Sequence, residues 1–444
     1  MEGESEEFRI KSISPRNWFI IFILGISGQI AWAVENSWFN TFVFDELTPN
    51  PQPVAWMVAV SAITATVTTY IIGSLSDRTK SRWGRRKPFL VAGYFFWGIT
   101  TALFPTVSWI DDVGIAVVMV IIADAIMTFF GSTANDAAYN AWVTDITDPT
   151  NRGRLQGIIS TTTLLANLIA LGAAGFVIDA FGYFVFFYVL GGIVTLTGII
   201  TAIVLKESVS TTENRATRKP ILQDLIDTLK PSTVKENKLL YLLFGYMALT
   251  GIASNISFPY QFIYFEHHLG FTKSEISIIG AAIIMIAVIV SIFYGFISHK
   301  FNRKVVLFIL PILGLIPGIG FMLVQTADIF LIILVAGSSI SLGMISGITL
   351  GAWIQDNYPS GNIGRFQGVR MIFFVLIPMV IGPPIGAFVI ETFGVPTILN
   401  GEPGFIPPPE IFLASTLFSL IAIVILFFIT MEQGLEHLKR GKEA

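Results

Sequence analysis

The seventeen residues AWVTDITDPTNRGRLQG, 141 to 157, return 211 positions later as AWIQDNYPSGNIGRFQG, 352 to 368. Ala, Trp, Asp, Asn, Gly, Arg, Gln and Gly recur in register, and eight matches in seventeen are too many for coincidence. A weaker echo pairs GSLSDR, beginning at Gly73, with GFISHK, beginning at Gly295. The chain therefore contains two similar halves, and the surroundings of each copy decide what kind of halves they are.

Those surroundings are apolar. Of 444 residues, 53% are hydrophobic and only 13% charged, with a mean hydropathy of +0.72; an ordinary soluble domain is about a quarter charged. Runs of around twenty apolar residues, each able to cross about 30 Å of hydrocarbon, predict twelve helical spans. They fall at 17–44, 54–76, 88–108, 113–144, 155–180, 183–205, 238–265, 274–299, 303–325, 328–355, 366–392 and 410–431. The first run, from Trp18, contains Gln29, Glu35 and Asn36 and lacks a small-residue cleavage site, so it reads as a span and not as a signal peptide. With the N-terminus inside, every Lys and Arg except Lys273 falls in a cytoplasmic tail, loop or helix end, which orients both termini to the cytoplasm of a multi-pass cell-membrane protein.

The expected fold is all-α, a polytopic bundle of an N-terminal six-helix half (1–205), a cytoplasmic linker (206–237) and a C-terminal six-helix half (238–444). In the linker, PILQDLIDTLKP places Ile221, Leu222, Leu225, Ile226 and Leu229 on one face between two prolines, as a helix lying along the membrane surface would. No cysteine is present, which excludes disulfides, Cys-ligated zinc and thiol chemistry. No metal-ligand spacing, nucleophile–base motif or Gly-rich nucleotide loop stands out, so no metal, cofactor, nucleic-acid partner or enzymatic activity is expected.

The loop between spans 2 and 3 is the most distinctive motif. In GSLSDRTKSRWGRRKPF, 73–89, six of the chain's 27 Lys and Arg fall between Arg78 and Lys87. With AWAVENSWFNTF in span 1 and AYNAWVTDITDPTNRGR at the end of span 4, it resembles the glycoside-pentoside-hexuronide:cation symporters of the major facilitator superfamily, most closely the sucrose:proton branch. The resemblance implies a sugar carrier driven by a cation gradient, with substrate held between halves that rock to give alternating access. It also places the animal branch's AVE glutamate on Glu35 and the span 4 aspartate of the melibiose and animal sucrose branches on Asp136. Span 2 here, VAWMVAVSAITATVTTYIIG, lacks the acidic sodium ligands of the melibiose branch, Gln29 stands at that branch's sugar-binding aspartate, and Asn140 replaces the span 4 arginine of the sucrose branch. Proton coupling is therefore expected ahead of sodium, with a sugar or glycoside of the sucrose, maltose or glucoside class as the small-molecule partner.

The residues themselves suggest where the pathway runs. Gln29, Trp32, Asn36 and Asn40 follow one helical stripe with Glu35 at its edge, and amides beside an aromatic ring are what sugar hydroxyls and CH faces require. Trp38 and Trp142 are further candidate aromatic faces. Span 7 offers Asn255, Tyr260 and Gln261 at the repeat-related place, for binding or for helix–helix hydrogen bonds. Glu35, Asp124 and Asp136 are carboxylates within spans, where acids are costly and functional by default; Asp136 ranks above Asp124, with a structural bond to Asn140 or to a neighbouring helix as the competing role. At the cytoplasmic ends, Asp77 with Arg78, Arg85 and Arg86, and the repeated pairs Asp145 with Arg154 and Asp356 with Arg365, are read as a gate that closes that side, against a purely orienting basic loop. His267 and His268 beside Glu266 read as a solvated helix end. A carrier of lipid or other amphiphile, a sodium-coupled sugar symporter and a membrane-embedded sensor are the alternatives, and a monomer is expected to suffice.

Overall fold

The computed structural model describes residues 13–147, 151–207, 226–359 and 363–429, with the backbone alone for 152, 153 and 363–365. Eleven helices among them are long and apolar enough to cross a membrane. They are span 1 (Pro15–Leu47), span 2 (Pro51–Arg78), span 3 (Lys87–Trp109), span 4 (Val113–Asp145), the 51-residue Arg154–Val204, span 7 (Lys238–His268), span 8 (Lys273–Lys300), span 9 (Arg303–Leu323), span 10 (Ile329–Asp356), span 11 (Phe366–Phe393) and span 12 (Glu410–Ile429). At 1.5 Å per residue a continuous 51-residue helix would run about 76 Å, more than two hydrocarbon thicknesses. It does not run straight, because Gly182 adopts φ 79°, ψ 170°, a backbone region open essentially to glycine alone. Residues 154–181 and 183–204 are thus spans 5 and 6, and the twelve expected crossings are all present.

Local sequence sets the helix starts. Span 2 begins with Pro51 behind the Asn50 cap, whose side chain accepts from Gln52 N at 2.9 Å. Asp112 and Asp328 cap spans 4 and 10, accepting from Ile115 N at 2.9 Å and Leu331 N at 3.0 Å, and Thr272 with Glu275 forms a capping box at span 8. Several spans widen locally into π-turns, at Val43–Leu47, Ser132–Tyr139, Tyr264–His268 and Ile372–Leu376. Such turns often mark functional positions, and the first three carry acidic or histidine side chains discussed below. Between spans 11 and 12 the chain makes a two-stranded antiparallel hairpin, β1 (Val395–Leu399) with β2 (Glu402–Ile406), in which Val395 pairs with Ile406. Of the predicted linker helix, Ile221, Leu222 and Leu225 lie outside the described residues; Ile226 and Leu229 are exposed, and a short helix Pro231–Glu236 precedes span 7.

The buried apolar residues show how the halves meet. One continuous core joins the N-terminal half to the C-terminal residues Ile256, Tyr260, Ile263, Phe321 and Ile390. A second, separate core holds Leu243, Phe244, Leu307, Ile354, Val369 and Leu426. The shared core runs the length of the N-terminal half, but its C-terminal members lie at the end of the bundle away from Arg78–Lys87, called here the far end; the separate core lies in the C-terminal half at the basic end. The halves are therefore fused at the far end and parted toward the basic end, where they still touch through Tyr70 Oη, which donates to the Gly368 carbonyl.

Spans 5 and 8 make the tightest crossing between halves. A Cβ on Gly175 would sit 1.8 Å from the Lys273 carbonyl oxygen, and Gly175 N donates to Ser277 Oγ at 2.8 Å. One turn along, Gly172 faces Ala281 at 3.2 Å, so small residues let two backbones approach as membrane helices commonly do. Gly73, near the basic end of span 2, has no atom within 4 Å of a Cβ built on it. The close approach there belongs to the neighbouring Ser76, fully buried and bonded to Arg86. Gly175→Leu must force the crossing apart at a cost of about 1–3 kcal/mol or more, lowering the melting midpoint of the purified protein, whereas Gly73→Ala leaves it unchanged or raised.

Candidate functional site

Along span 1 many residues are buried, yet Gln29, Trp32 and Asn36 are half-buried at helical spacing, which puts them on one stripe of the helix. Gln29 Nε2 donates to Asn135 Oδ1 at 3.4 Å, Asn135 Nδ2 donates to Tyr94 Oη at 2.9 Å, and Tyr94 Oη donates to the Leu24 carbonyl at 2.7 Å. Gly28 makes this chain of bonds possible, since a Cβ there would lie 2.3 Å from Asn135 Nδ2. Trp32 packs on Trp97 with ring centroids 5.0 Å apart and leaves its indole N–H without a partner. Asn36 of span 1 and Gln261 of span 7 line one small cavity of about 50 Å³ together with Ser37, Leu171, Phe258 and Phe262. The two amides predicted from opposite halves thus meet.

Other predicted residues are placed differently. Asn40 is fully buried, its Oδ1 unpartnered and its Nδ2 directed to the Asn36 carbonyl at 3.4 Å. Asn255 Nδ2 bonds its own helix at the Gly251 carbonyl, 2.9 Å away. Tyr260 is buried, with Oη 3.1 Å from both the Pro51 and Pro383 carbonyls, so it ties span 7 to spans 2 and 11 and does not face the cavity. Trp38 and Trp142 are core residues, Trp38 packing on Phe262 across the halves at 5.0 Å. Asn135, Tyr94 and Trp97 were not singled out from sequence; Asn135 adjoins Asp136 and was the one most open to detection.

The three intramembrane acids separate into two places. Glu35 and Asp124 are both buried. Glu35 Oε1 lies 2.9 Å from Ser61 Oγ and 3.1 Å from Thr128 Oγ1, and the two hydroxyl oxygens are 2.7 Å apart. Asp136 is twelve residues further along span 4, roughly 18 Å on a helix, half-buried in the Ser132–Tyr139 π-turn. The exposed Asn140 donates to the Asp136 backbone carbonyl at 3.1 Å, so the expected alternative of a bond between Asn140 and the Asp136 side chain is not the arrangement adopted.

At the basic end the charges pair within each half. Arg86 is 3% exposed and bonds Ser76, Asp77 and, at 3.2 Å, Asp145 Oδ2, while Arg85 reaches Asp145 Oδ1 at 2.6 Å. Glu207 Oε2 accepts from the backbone N–H groups of Arg86 and Lys87, each at 2.9 Å, closing the start of span 3 against the end of span 6. In the C-terminal half Arg303 pairs with Asp356 at 2.6 Å. The expected pairs Asp145–Arg154 and Asp356–Arg365 are thus corrected: each aspartate at the end of a fourth span meets an arginine at the start of a third. Arg154 instead lies over the Trp18 ring at 5.4 Å, Arg78 is exposed outside the network, and the Arg365 side chain is outside the described residues. Among the described residues no ion pair crosses between the halves at this end.

The crossing charges are at the far end, where none was expected. Asp45 Oδ1 meets His267 Nε2 at 2.8 Å, and its Oδ2 meets Lys273 Nζ at 2.9 Å and accepts from Tyr183 Oη at 2.6 Å. Lys273 also pairs with Glu266. Asn400 of the hairpin turn donates to the Asp45 carbonyl at 2.7 Å, and Phe405 N donates to the Pro49 carbonyl at 3.1 Å, so the hairpin covers the junction. Glu266 and His267 are consequently not a solvated helix end. Lys273, the exception to the basic-inside pattern, is the cation two acids require. Donor atoms of Asp45, Glu266 and His267 gather within 4.8 Å as a metal set would, but Lys273 already supplies the positive charge there.

The family model described as Major Facilitator Superfamily matches residues 18–379 and 242–444. Over 280 residues the chain is 27% identical to the lactose permease of Lactobacillus delbrueckii subsp. bulgaricus, covering 59% of this chain and 43% of the permease. Over 253 residues it is 23% identical to multidrug resistance protein 2 of Bacillus subtilis, covering 56% and 59%. The chain spans about half the length of the curated relatives it matches. The nucleoside transporter NupG shares the fold with a TM-score of 0.70 at 12% identity, over 92% of this chain and 98% of that one.

If the far-end pairs hold the halves together, Lys273→Ala removes the lysine from partly buried Asp45 and Glu266, at a cost below the roughly 3–5 kcal/mol of breaking a fully buried pair. The protein lacks cysteine, so a single reporter at Asn36→Cys has no background. It is expected to react with a polar thiol reagent from the far side faster in the Lys273→Ala protein; equal rates would show that the seal does not depend on this lysine.

Proposed function

The chain belongs to the major facilitator superfamily, and from that premise we propose that it is a secondary active transporter carrying a sugar or glycoside by proton-coupled symport. The observation that carries the solute class is the amide-and-aromatic stripe of Gln29, Trp32 and Asn36, whose last member shares one cavity with Gln261 of the other half. Amides offer donors and acceptors to hydroxyls at the same time, and the Trp32 ring beside them supplies a surface for sugar CH groups. The lactose permease relative supports the same class.

On this reading the basic end is cytoplasmic, following the rule that Lys and Arg concentrate inside, so the chain lies in the cell membrane with both termini in the cytoplasm. The conformation is then inward-facing, sealed outside by the Asp45 network. The N-terminal half (1–205) and C-terminal half (238–444) rock about the crossings of span 2 on span 11 and span 5 on span 8. In the opposite state the far-end pairs part. The Arg85, Arg86 and Asp145 cluster, with Arg303 and Asp356, then meets its counterpart across the cleft as the cytoplasmic gate. A monomer is sufficient for the cycle.

Asp136 is the coupling residue in this proposal. It is the acid of span 4 that is partly exposed, and on this reading water and substrate reach it through the cleft. Holding a proton removes the cost of keeping its charge at membrane depth. A second reading, carriage of a lipid or other amphiphile, is favoured by the many apolar residues lining the cavity, Leu171, Phe258, Phe262 and Ile283 among them, and by the multidrug resistance relative.

Uptake into proteoliposomes across a panel of mono- and disaccharides and glycosides, with an imposed proton or sodium gradient, separates these readings. Accumulation of a sugar under a proton gradient is expected; lysolipid uptake without sugar uptake would select the second reading. Asp136→Asn is expected to abolish gradient-driven accumulation, to background, while retaining exchange or binding. Full accumulation by this variant removes Asp136 from coupling.

A further inference from the structure

Two of the chain's intramembrane acids take no part in the proposed cycle, and the structure gathers them. Glu35 comes from span 1, Ser61 from span 2, and Asp124 and Thr128 from span 4, one helical turn apart. Asp124 faces the same Ser61 hydroxyl as Glu35, and the two carboxyls are near enough for their charges to act on one another. Glu35 is 7% exposed and Asp124 1%. Glu35 Oε2 and Asp124 Oδ1 are buried and have no hydrogen-bond partner. Among the described residues neither acid is ion-paired with a Lys, Arg or His.

Proton counting makes the deficit explicit. Glu35 Oε1, Ser61 Oγ and Thr128 Oγ1 form a triangle with sides of 2.9, 3.1 and 2.7 Å. Three contacts of hydrogen-bond length need three protons, and two hydroxyls supply two. The triangle is one proton short, and the two unpartnered carboxyl oxygens beside it have no donor. Four side chains with six oxygen atoms and no nitrogen make a hard-oxygen set, the kind that takes a proton or an alkali ion in preference to a soft metal.

We propose that Glu35, Asp124, Ser61 and Thr128 form a buried site for a small monovalent cation, a proton or sodium, separate from Asp136. The site stands whatever solute the protein carries. Span 2 supplies no carboxylate, but it supplies Ser61 to acids brought from spans 1 and 4, which is why its own sequence does not reveal a cation site. Because all three helices belong to one half, the site moves with that half as a unit.

Infrared difference spectroscopy of the purified protein, with sodium chloride against potassium chloride at constant pH and separately with a step from acid to alkaline buffer, tests the proposal. A protonated-carboxyl band is expected to fall in the alkaline step. If sodium shares the site, the band falls in the sodium arm also. Asp136 contributes a band of its own to the alkaline step, so the comparison is made in the Asp136→Asn protein, where a change is expected to remain and Glu35→Gln and Asp124→Asn each remove it. Ser61→Ala, which keeps both acids and is the gentler change, is expected to shift the midpoint by about tenfold in cation concentration, the worth of one charge-assisted hydrogen bond. The proposal is overturned if the band is insensitive to both steps, if it persists unchanged in Glu35→Gln and Asp124→Asn, or if Asp136→Asn alone removes it.

Discussion

Acids at the ends of the spans pair with positive charge, and the arrangement of this molecule follows from where each of them finds it. Asp45 finds Lys273 and His267, which belong to the other half of the chain. Asp145 finds Arg85 and Arg86 in its own half, and Asp356 finds Arg303 in its own. Coulomb attraction in a poorly screened setting is strong enough to bias a conformation when the partners lie on bodies that can move apart. One such cluster across the halves, with the others confined within halves, gives a bundle closed at one end and parted at the other.

The apolar packing agrees with the charges. Membrane helices gain little from hiding apolar surface from lipid, so their association rests on close contact and polar bonds. At the far end the Gly175–Ser277 crossing, the Tyr260 hydroxyl between two carbonyls and the hairpin over Pro49 supply both. At the basic end the C-terminal half keeps a core of its own, from Leu243 to Leu426. The cleft is what remains when two well-packed bodies share a seal at only one edge.

Much of this was legible in the sequence, for identifiable reasons. Span length and count follow from hydrophobic thickness, and the repeat at 141 and 352 divides the chain without any structure. The Gln29, Trp32, Asn36 stripe was legible because a helix places such spacings on one face. The pairing of distant charges was not: Asp45 and His267 are 222 positions apart, and VFDEL at the end of span 1 resembles an ordinary polar helix end. Sequence adjacency suggested Asp145 with Arg154, but helix direction carries Arg154 away to Trp18 and brings Arg86 from another loop. Nor does spacing tell a buried tryptophan from one in a pathway, as Trp38 and Trp142 illustrate.

Gly182 has a mechanical side. With no connecting loop between residues 154–181 and 183–204, spans 5 and 6 form an elbow whose only joint is one glycine. Span 5 bears the crossing on span 8, and span 6 ends beside Glu207, which clamps the start of span 3. A displacement at Gly175 would reach the Arg86 cluster at the opposite face through two helices and one joint, with no loop between them to absorb it.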